Sequence, residues 1–189
     1  PVSNGSFLLN FDSDYQIRDI YFPFVGQENH SSGHPFRFGV WADGRFSWVG
    51  PEWEKDLRYQ DESLVTNVIL KNKEMGLAMV CSDVVDLDLN VYVKKIEVSN
   101  LVDKPRQVRL FFSHDFKLYG NDIGGTAYFD PRSCSIIHYK MHRYFLISCW
   151  AHDEWGVKEF SCGRRDPSGD SEVIKQAENG ELNGDSSAW

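Results

Sequence analysis

Phe36-Arg37-Phe38-Gly39-Val40-Trp41-Ala42-Asp43-Gly44-Arg45-Phe46-Ser47-Trp48 is the stretch on which the fold turns. Asp-Gly between two alternating apolar segments is a strong hairpin signal, because both residues accept the positive φ of a tight turn. A two-residue turn at Asp43-Gly44 sets Trp41 opposite Phe46 and Ala42 opposite Arg45. Side chains alternate across a strand, so one face carries Trp41, Phe46 and Trp48, and the other Phe36, Phe38 and Val40. Both faces are apolar. Such a strand pair is either sandwiched in the interior or covered on its outer side by a partner domain.

The same period of two runs through most of the chain. Phe7, Leu9 and Phe11 alternate before the hairpin, and Leu64, Thr66, Val68 and Leu70 after it. A polar turn from Lys71 to Gly76 leads to a return strand from Leu77 to Val85. Leu87, Leu89, Val91 and Val93 then alternate strictly, while Ile96 and Val98 continue in the opposite register. That shift at Lys94-Lys95 predicts a β-bulge. Asp103-Lys104-Pro105 makes the next turn, followed by Val108, Leu110 and Phe112. Shorter strands are expected at 126–129, 135–139, 143–150 and 155–160. The best helix is short, from Glu172 to Glu178, capped by Asp170 or Ser171 and stopped by Gly180. The expected fold is therefore all-β, an antiparallel sandwich or barrel. Residues 1–160 form the β-sandwich domain. Residues 161–189 read as a loop-rich tail of the same domain that reaches Trp189 without a clear closing strand, and truncation before the last strands is the favoured expectation.

With 41% hydrophobic residues in 189, the chain can build a real core. The net charge of −8 and the lack of a dense basic run exclude nucleic acid as a natural partner. No apolar run approaches a membrane span, so no membrane partner is expected. Pro1-Val2-Ser3-Asn4 lacks a signal pattern, which favours a cytoplasmic location, and the first residue is not Met, which fits removal of an upstream piece. Cys81, Cys134, Cys149 and Cys162 carry no paired spacing. Free thiols are the favoured reading, a disulfide between distant strands the alternative, and no metal or cofactor is expected. Asn4-Gly5-Ser6 and Asn29-His30-Ser31 fit the glycosylation pattern, which matters only in a secreted eukaryotic protein.

The candidate chemistry sits in the loop before the hairpin. Gln27, Glu28, Asn29, His30 and His34 lie between aromatic-rich strands, with Tyr21 at the start and Arg37 at the end. Planar polar groups beside rings suit sugar hydroxyls and pyranose faces. They equally suit a second domain, or a plain polar surface loop turned by Gly33 and Pro35. His114-Asp115 ends a strand, and His138, His142 and the His152-Asp153-Glu154 run sit at turns and loops. Glu28, Glu52, Glu54, Asp115 and Asp122 are available acids, but nothing singles out the pair that glycoside hydrolysis needs. Gly120 to Gly125 is glycine-rich without a following Lys-Ser/Thr or helix, and reads as a strand connection. Of the six tryptophans, at most one or two would serve as stacking platforms, since aromatics dominate sandwich cores.

Tyr21-Phe22-Pro23 with Val25-Gly26-Gln27-Glu28-Asn29-His30, then Gly33-His34-Pro35-Phe36-Arg37 and Gly39-Val40-Trp41, resembles the N-terminal β-sandwich domain of bacterial and archaeal glucoamylase-type enzymes of glycoside hydrolase family 15. Thr126 to Pro131, Lys158-Glu159-Phe160 and Ala177 to Leu182 extend the resemblance across the chain. The resemblance implies a supersandwich of two large antiparallel sheets, similar to galactose-mutarotase-like domains. It also implies a partner in the same polypeptide, an (α/α)6 barrel carrying two glutamates that hydrolyse α-glucosidic bonds with inversion. Those glutamates would lie beyond residue 189, so no catalytic residue is assigned here. Tyr21, Gln27, Glu28, Asn29, His30, His34, Arg37, Trp41, Phe46 and Trp48 are then the residues expected at a sugar or at the barrel. The alternatives are a sandwich that binds oligo- or polysaccharide on its own, a purely structural module, and the N-domain of a trehalase- or glucodextranase-type relative.

Overall fold

A computed structural model describes residues 1–34, 36–164 and 172–189, and divides the chain into two compact units, Pro1–Asp115 and Phe116–Trp189. Among the described residues the first unit holds ten strands: β1 (Val2–Ser3), β2 (Leu8–Phe11), β3 (Ile17–Tyr21), β4 (Arg37–Ala42), β5 (Arg45–Trp48), β6 (Glu54–Tyr59), β7 (Thr66–Asn72), β8 (Leu77–Val85), β9 (Tyr92–Asn100) and β10 (Val108–Ser113). They pair antiparallel in three sheets, ordered β1-β2-β3, β10-β4-β5 and β6-β7-β8-β9. The all-β antiparallel sandwich read from the alternation is what the chain adopts.

Alternation decides which side of each strand is buried. Phe38, Val40 and Ala42 of β4 face one cluster with Val68 and Leu70 of β7 and Leu77, Met79 and Cys81 of β8. Tyr15, Val49, Trp53 and Met75 close that cluster from the connecting segments. Inner faces of two sheets thus share one core, at roughly 1.5–3 kcal/mol for each large aliphatic side chain removed from water. The Trp53 indole N–H inside it donates to Ser47 Oγ at 3.0 Å, so its polar end is satisfied. Burial of the Cys81 thiol here pushes its pKa up to about 11, which keeps it a small inert hydrophobe. All four cysteines are free thiols.

The hairpin forms as its sequence demands. Trp41 pairs with Phe46 and Ala42 with Arg45, and Asp43 and Gly44 both take positive φ, 52° and 77°.

Two expectations for the next strands fail for one reason. Leu87, Leu89 and Val91 lie in the turn before β9 and are exposed, and β9 pairs with β8 in unbroken register from Val85↔Tyr92 to Leu77↔Asn100. No bulge occurs. Lys94 occupies an inward position directly opposite the fully buried Asp83. A lysine in an apolar register imitates a register shift in the sequence. Its Nζ lies 2.8 Å from Asp83 Oδ1, and the Tyr15 and Tyr92 hydroxyls donate to the same carboxylate at 2.5 Å each. Thr66 Oγ1 donates as well, at 2.7 Å.

The second unit holds β11 (Thr126–Asp130), β12 (Ser135–Lys140), β13 (Arg143–Ile147), β14 (Trp150–Ala151), β15 (Glu154–Trp155), α1 (Glu172–Asn179) and β16 (Ser187–Ala188). Its main sheet is ordered β13-β12-β11-β16. The strands expected at 143–150 and 155–160 are shorter, because a turn at His152-Asp153 makes a separate two-residue ribbon of β14 and β15. The tail does contribute a strand: Ala188 pairs with Ala127 and Ser187 with Tyr128. Too short to show an alternation, β16 left no pattern to read.

α1 ends where Gly180 predicts. The Gly180 N–H donates to Ala177 O and the Glu181 N–H to Gln176 O, a Schellman closure with Gly180 at φ 89°. The caps expected at Asp170 or Ser171 lie outside the described residues. Among those residues, no helix is long and apolar enough to cross a membrane.

Candidate functional site: an arginine–tryptophan sheet face

The outer face of β10-β4-β5 gathers four of the ten residues singled out from the sequence. Register puts Trp41 between Phe46 of β5 and Arg109 of β10, and Gly39 between Trp48 and Phe111. Gly39 is what lets the rings meet. A Cβ there would fall 2.3 Å from Phe46 Cζ and 3.0 Å from Trp48 Cε3, so the rings lie over bare backbone. Phe46 meets Trp48 edge-on with centroids 4.7 Å apart, and Phe111 at 6.1 Å.

Two guanidinium groups lie over this floor. Arg37 sits 4.4 Å above the Trp48 ring and Arg109 5.6 Å above that of Trp41. Stacking a weakly hydrated cation on an indole helps to fix both groups in place. Trp41, Phe46 and Trp48 are half-buried and Phe111 is buried. Tryptophan and arginine in this combination suit either the anchor of a protein interface or a stacking surface for a pyranose.

The loop from Tyr21 to His34 divides differently. Asn29 and His30 turn inward and hold the loop together. Asn29 Nδ2 donates to Asp19 Oδ1 at 2.9 Å, and Asn29 Oδ1 accepts from the Ile20 and Ser31 N–H groups. The fully buried His30 has Nε2 2.6 Å from Phe22 O, and its backbone N–H donates to Ile20 O at 2.7 Å. The Glu28 carboxylate lies 3.9 Å from the same ring nitrogen. Burial would push the Asp19 carboxyl up, but hydrogen bonds from Arg18, Asn10 and Asn29 outweigh it and hold the group below the usual carboxylate range. Tyr21 bridges to Asn29 across the loop, leaving Phe24, Val25 and Gln27 exposed. His34 Nδ1 lies 3.3 Å from Asp115 Oδ2, next to the end of β10.

Neighbouring His114 packs edge-on to Phe36 at 5.3 Å, and its burial pushes the imidazole down to about 4. Both glycosylation-pattern asparagines have their Nδ2 engaged within the fold, Asn29 on Asp19 and Asn4 on the Asp86 and Leu89 carbonyls. Among the described residues, no three His, Cys, Asp or Glu side chains gather to hold a metal ion.

Sequence reasoning missed Arg109, Phe111 and the gap at Gly39. The alternation Val108, Leu110, Phe112 draws attention to one face of β10 and leaves its odd neighbours unread.

No protein-family model matches the chain. Its sequence is similar to an uncharacterised glycosyl hydrolase of Methanocaldococcus jannaschii, 25% identical over 165 residues, which cover 87% of this chain and 25% of that protein. Its fold is similar to part of a bacterial glucoamylase solved in complex with acarbose, with a TM-score of 0.68 and 14% identity. That match covers 99% of this chain and 27% of the glucoamylase chain. The chain thus spans about a quarter of the length of each protein it matches; the sequence relative is a glycosyl hydrolase, and the fold is that of part of a glucoamylase, as the resemblance implied.

Proposed function

We propose that this chain is the non-catalytic N-terminal domain of a glucoamylase-type enzyme of glycoside hydrolase family 15. In this reading the sheets belong to a supersandwich that supports an (α/α)6 barrel in the same polypeptide, where α-glucosidic bonds are hydrolysed with inversion. The observation that carries the reading is the coverage: the whole chain fits the fold of a quarter of a glucoamylase, and most of it aligns with a quarter of an archaeal glycosyl hydrolase.

The Arg37–Trp48 face then serves as the seat of the barrel, with the Tyr21–His34 loop beside it. Arginine and tryptophan at an aromatic floor are the residue types that anchor protein interfaces.

The test is to assay the full-length protein on maltooligosaccharides, isomaltooligosaccharides and trehalose while following product anomers by NMR. Release of β-glucose from an α-linked substrate is the expected result. No hydrolysis of any of the three, or release of the α-anomer, refutes the assignment.

A further inference from the structure

In the second unit, β14 and β15 form a two-stranded ribbon in which Trp150 directly opposes Trp155. His152 and Asp153 make its turn with φ of 54° and 61°, the combination that matches strand twist. The Gly156 N–H donates to Cys149 O at 2.8 Å, so the two tryptophans fall at the adjacent non-hydrogen-bonded position, where opposed side chains come closest. Among the described residues, neither ring packs into a core. Trp150 is 71% exposed and Trp155 62%.

The ribbon is fixed from below. The Trp155 indole N–H donates to Ser133 O at 3.2 Å, and the Val157 N–H donates to Cys134 O at 2.8 Å. Gly156, at φ 103°, lies so close to Cys134 that an added Cβ would fall 2.4 Å from Cys134 Cβ. The platform is therefore ordered before any ligand arrives, which lowers the entropic cost of binding.

What surrounds the rings decides between partners. His152, Asp153 and Glu154 are exposed beside them, and Glu154 is paired with Lys158 at 2.5 Å. Two indoles supply roughly 300–500 Å² between them, less than the roughly 800 Å² per partner that a stable protein interface buries. They do match a sugar ring, whose C–H face stacks on an indole while its hydroxyls reach a carboxylate or an imidazole. Carboxylates at the rim disfavour an anionic glycan.

We infer that the Trp150–Trp155 ribbon is a binding site for a neutral oligosaccharide. The site follows from the ribbon alone; the choice of an α-glucan as first probe rests on the function proposed above. The experiment is affinity electrophoresis of the full-length protein through gels containing soluble starch, dextran or a soluble cellulose derivative. Wild type is compared with Trp150→Ala, Trp155→Ala and the corresponding Phe variants. The Trp150 variants keep the wild-type unfolding midpoint because that ring is exposed, whereas the Trp155 variants give up the indole bond to Ser133 O, so every midpoint is measured in parallel and binding is compared well below it. The expected result is retardation by starch or dextran, weakened about tenfold in each Ala variant and largely restored by Phe. Tryptophan-dependent retardation by the cellulose derivative alone supports the site and counts against the α-glucan reading. No retardation in any gel, or retardation equal in wild type and both Ala variants, overturns the site.

Discussion

Replacing Lys94 with Met takes one charge out of the core of the first unit while keeping most of the side-chain stem. Asp83 has no exposed surface, and Lys94 Nζ lies 2.8 Å from its Oδ1 and 3.9 Å from the Tyr15 ring centroid. Removing one partner of a buried ion pair costs about 3–5 kcal/mol, because the other charge is left uncompensated. Three hydroxyl donors stay on Asp83, so the lower end applies, about 3 kcal/mol, or roughly 6–12 °C in Tm for a domain of this size.

The pH dependence separates this cause from lost packing. In the wild type, burial raises the Asp83 pKa, but Lys94 and the hydrogen bonds outweigh it and hold the carboxyl below its ordinary value. A depressed folded pKa means that stabilisation is present above the unfolded value, about 4, and is lost only as pH falls through the folded one. In the Met variant burial dominates and the folded pKa rises above the unfolded value. The deficit is then greatest at neutral pH and shrinks on acidification. Urea unfolding at pH 7 and pH 5 measures both. A deficit below about 1 kcal/mol, or one equal at the two pH values, refutes the argument. The Asp83→Asn, Lys94→Met double variant should be more stable than Lys94→Met alone.

Other consequences follow from the same geometry. Gly39→Ala forces the Phe46 ring off β4 and should cost about 1–3 kcal/mol in urea unfolding; unchanged stability would show that the ring moves freely. Trp41→Ala or Phe46→Ala in the full-length protein should lower its stability or the hydrolytic activity proposed above, and unchanged behaviour of both would remove this face from the proposed interface. His114 should titrate by NMR near 4, and its neutral folded form means that stability falls as pH drops from about 6.5 towards 4. A midpoint near 6.5 would contradict its burial.

Much of the fold was legible because alternation and turn chemistry agreed. Asp43-Gly44 set the β4–β5 register, the apolar positions of β8 marked its inner face, and Gly180 marked the end of α1. Pattern reading failed where polarity and direction part company. Asp83 and Lys94 point inward as a pair, so a period-two test took the lysine for a register shift. β6, with the sequence Glu54-Lys55-Asp56-Leu57-Arg58-Tyr59, carries too little apolar signal to stand out, and it forms because β7 offers a partner. The candidate site was half legible. Arg37, Trp41, Phe46 and Trp48 share a face fixed by the hairpin register, whereas Asn29 and His30 resemble ligand-facing groups in sequence and turn inward as loop anchors. Nothing local distinguishes a polar side chain aimed at solvent from one satisfied by its own backbone.

The central claim is that this chain is one part of a larger hydrolase, and the intact mass of the native protein that contains it tests that most directly. The account predicts a polypeptide roughly four times as long as this chain, in proportion to the quarter of a glucoamylase that it matches. A native polypeptide ending near Trp189 would contradict the account and leave a free-standing sandwich.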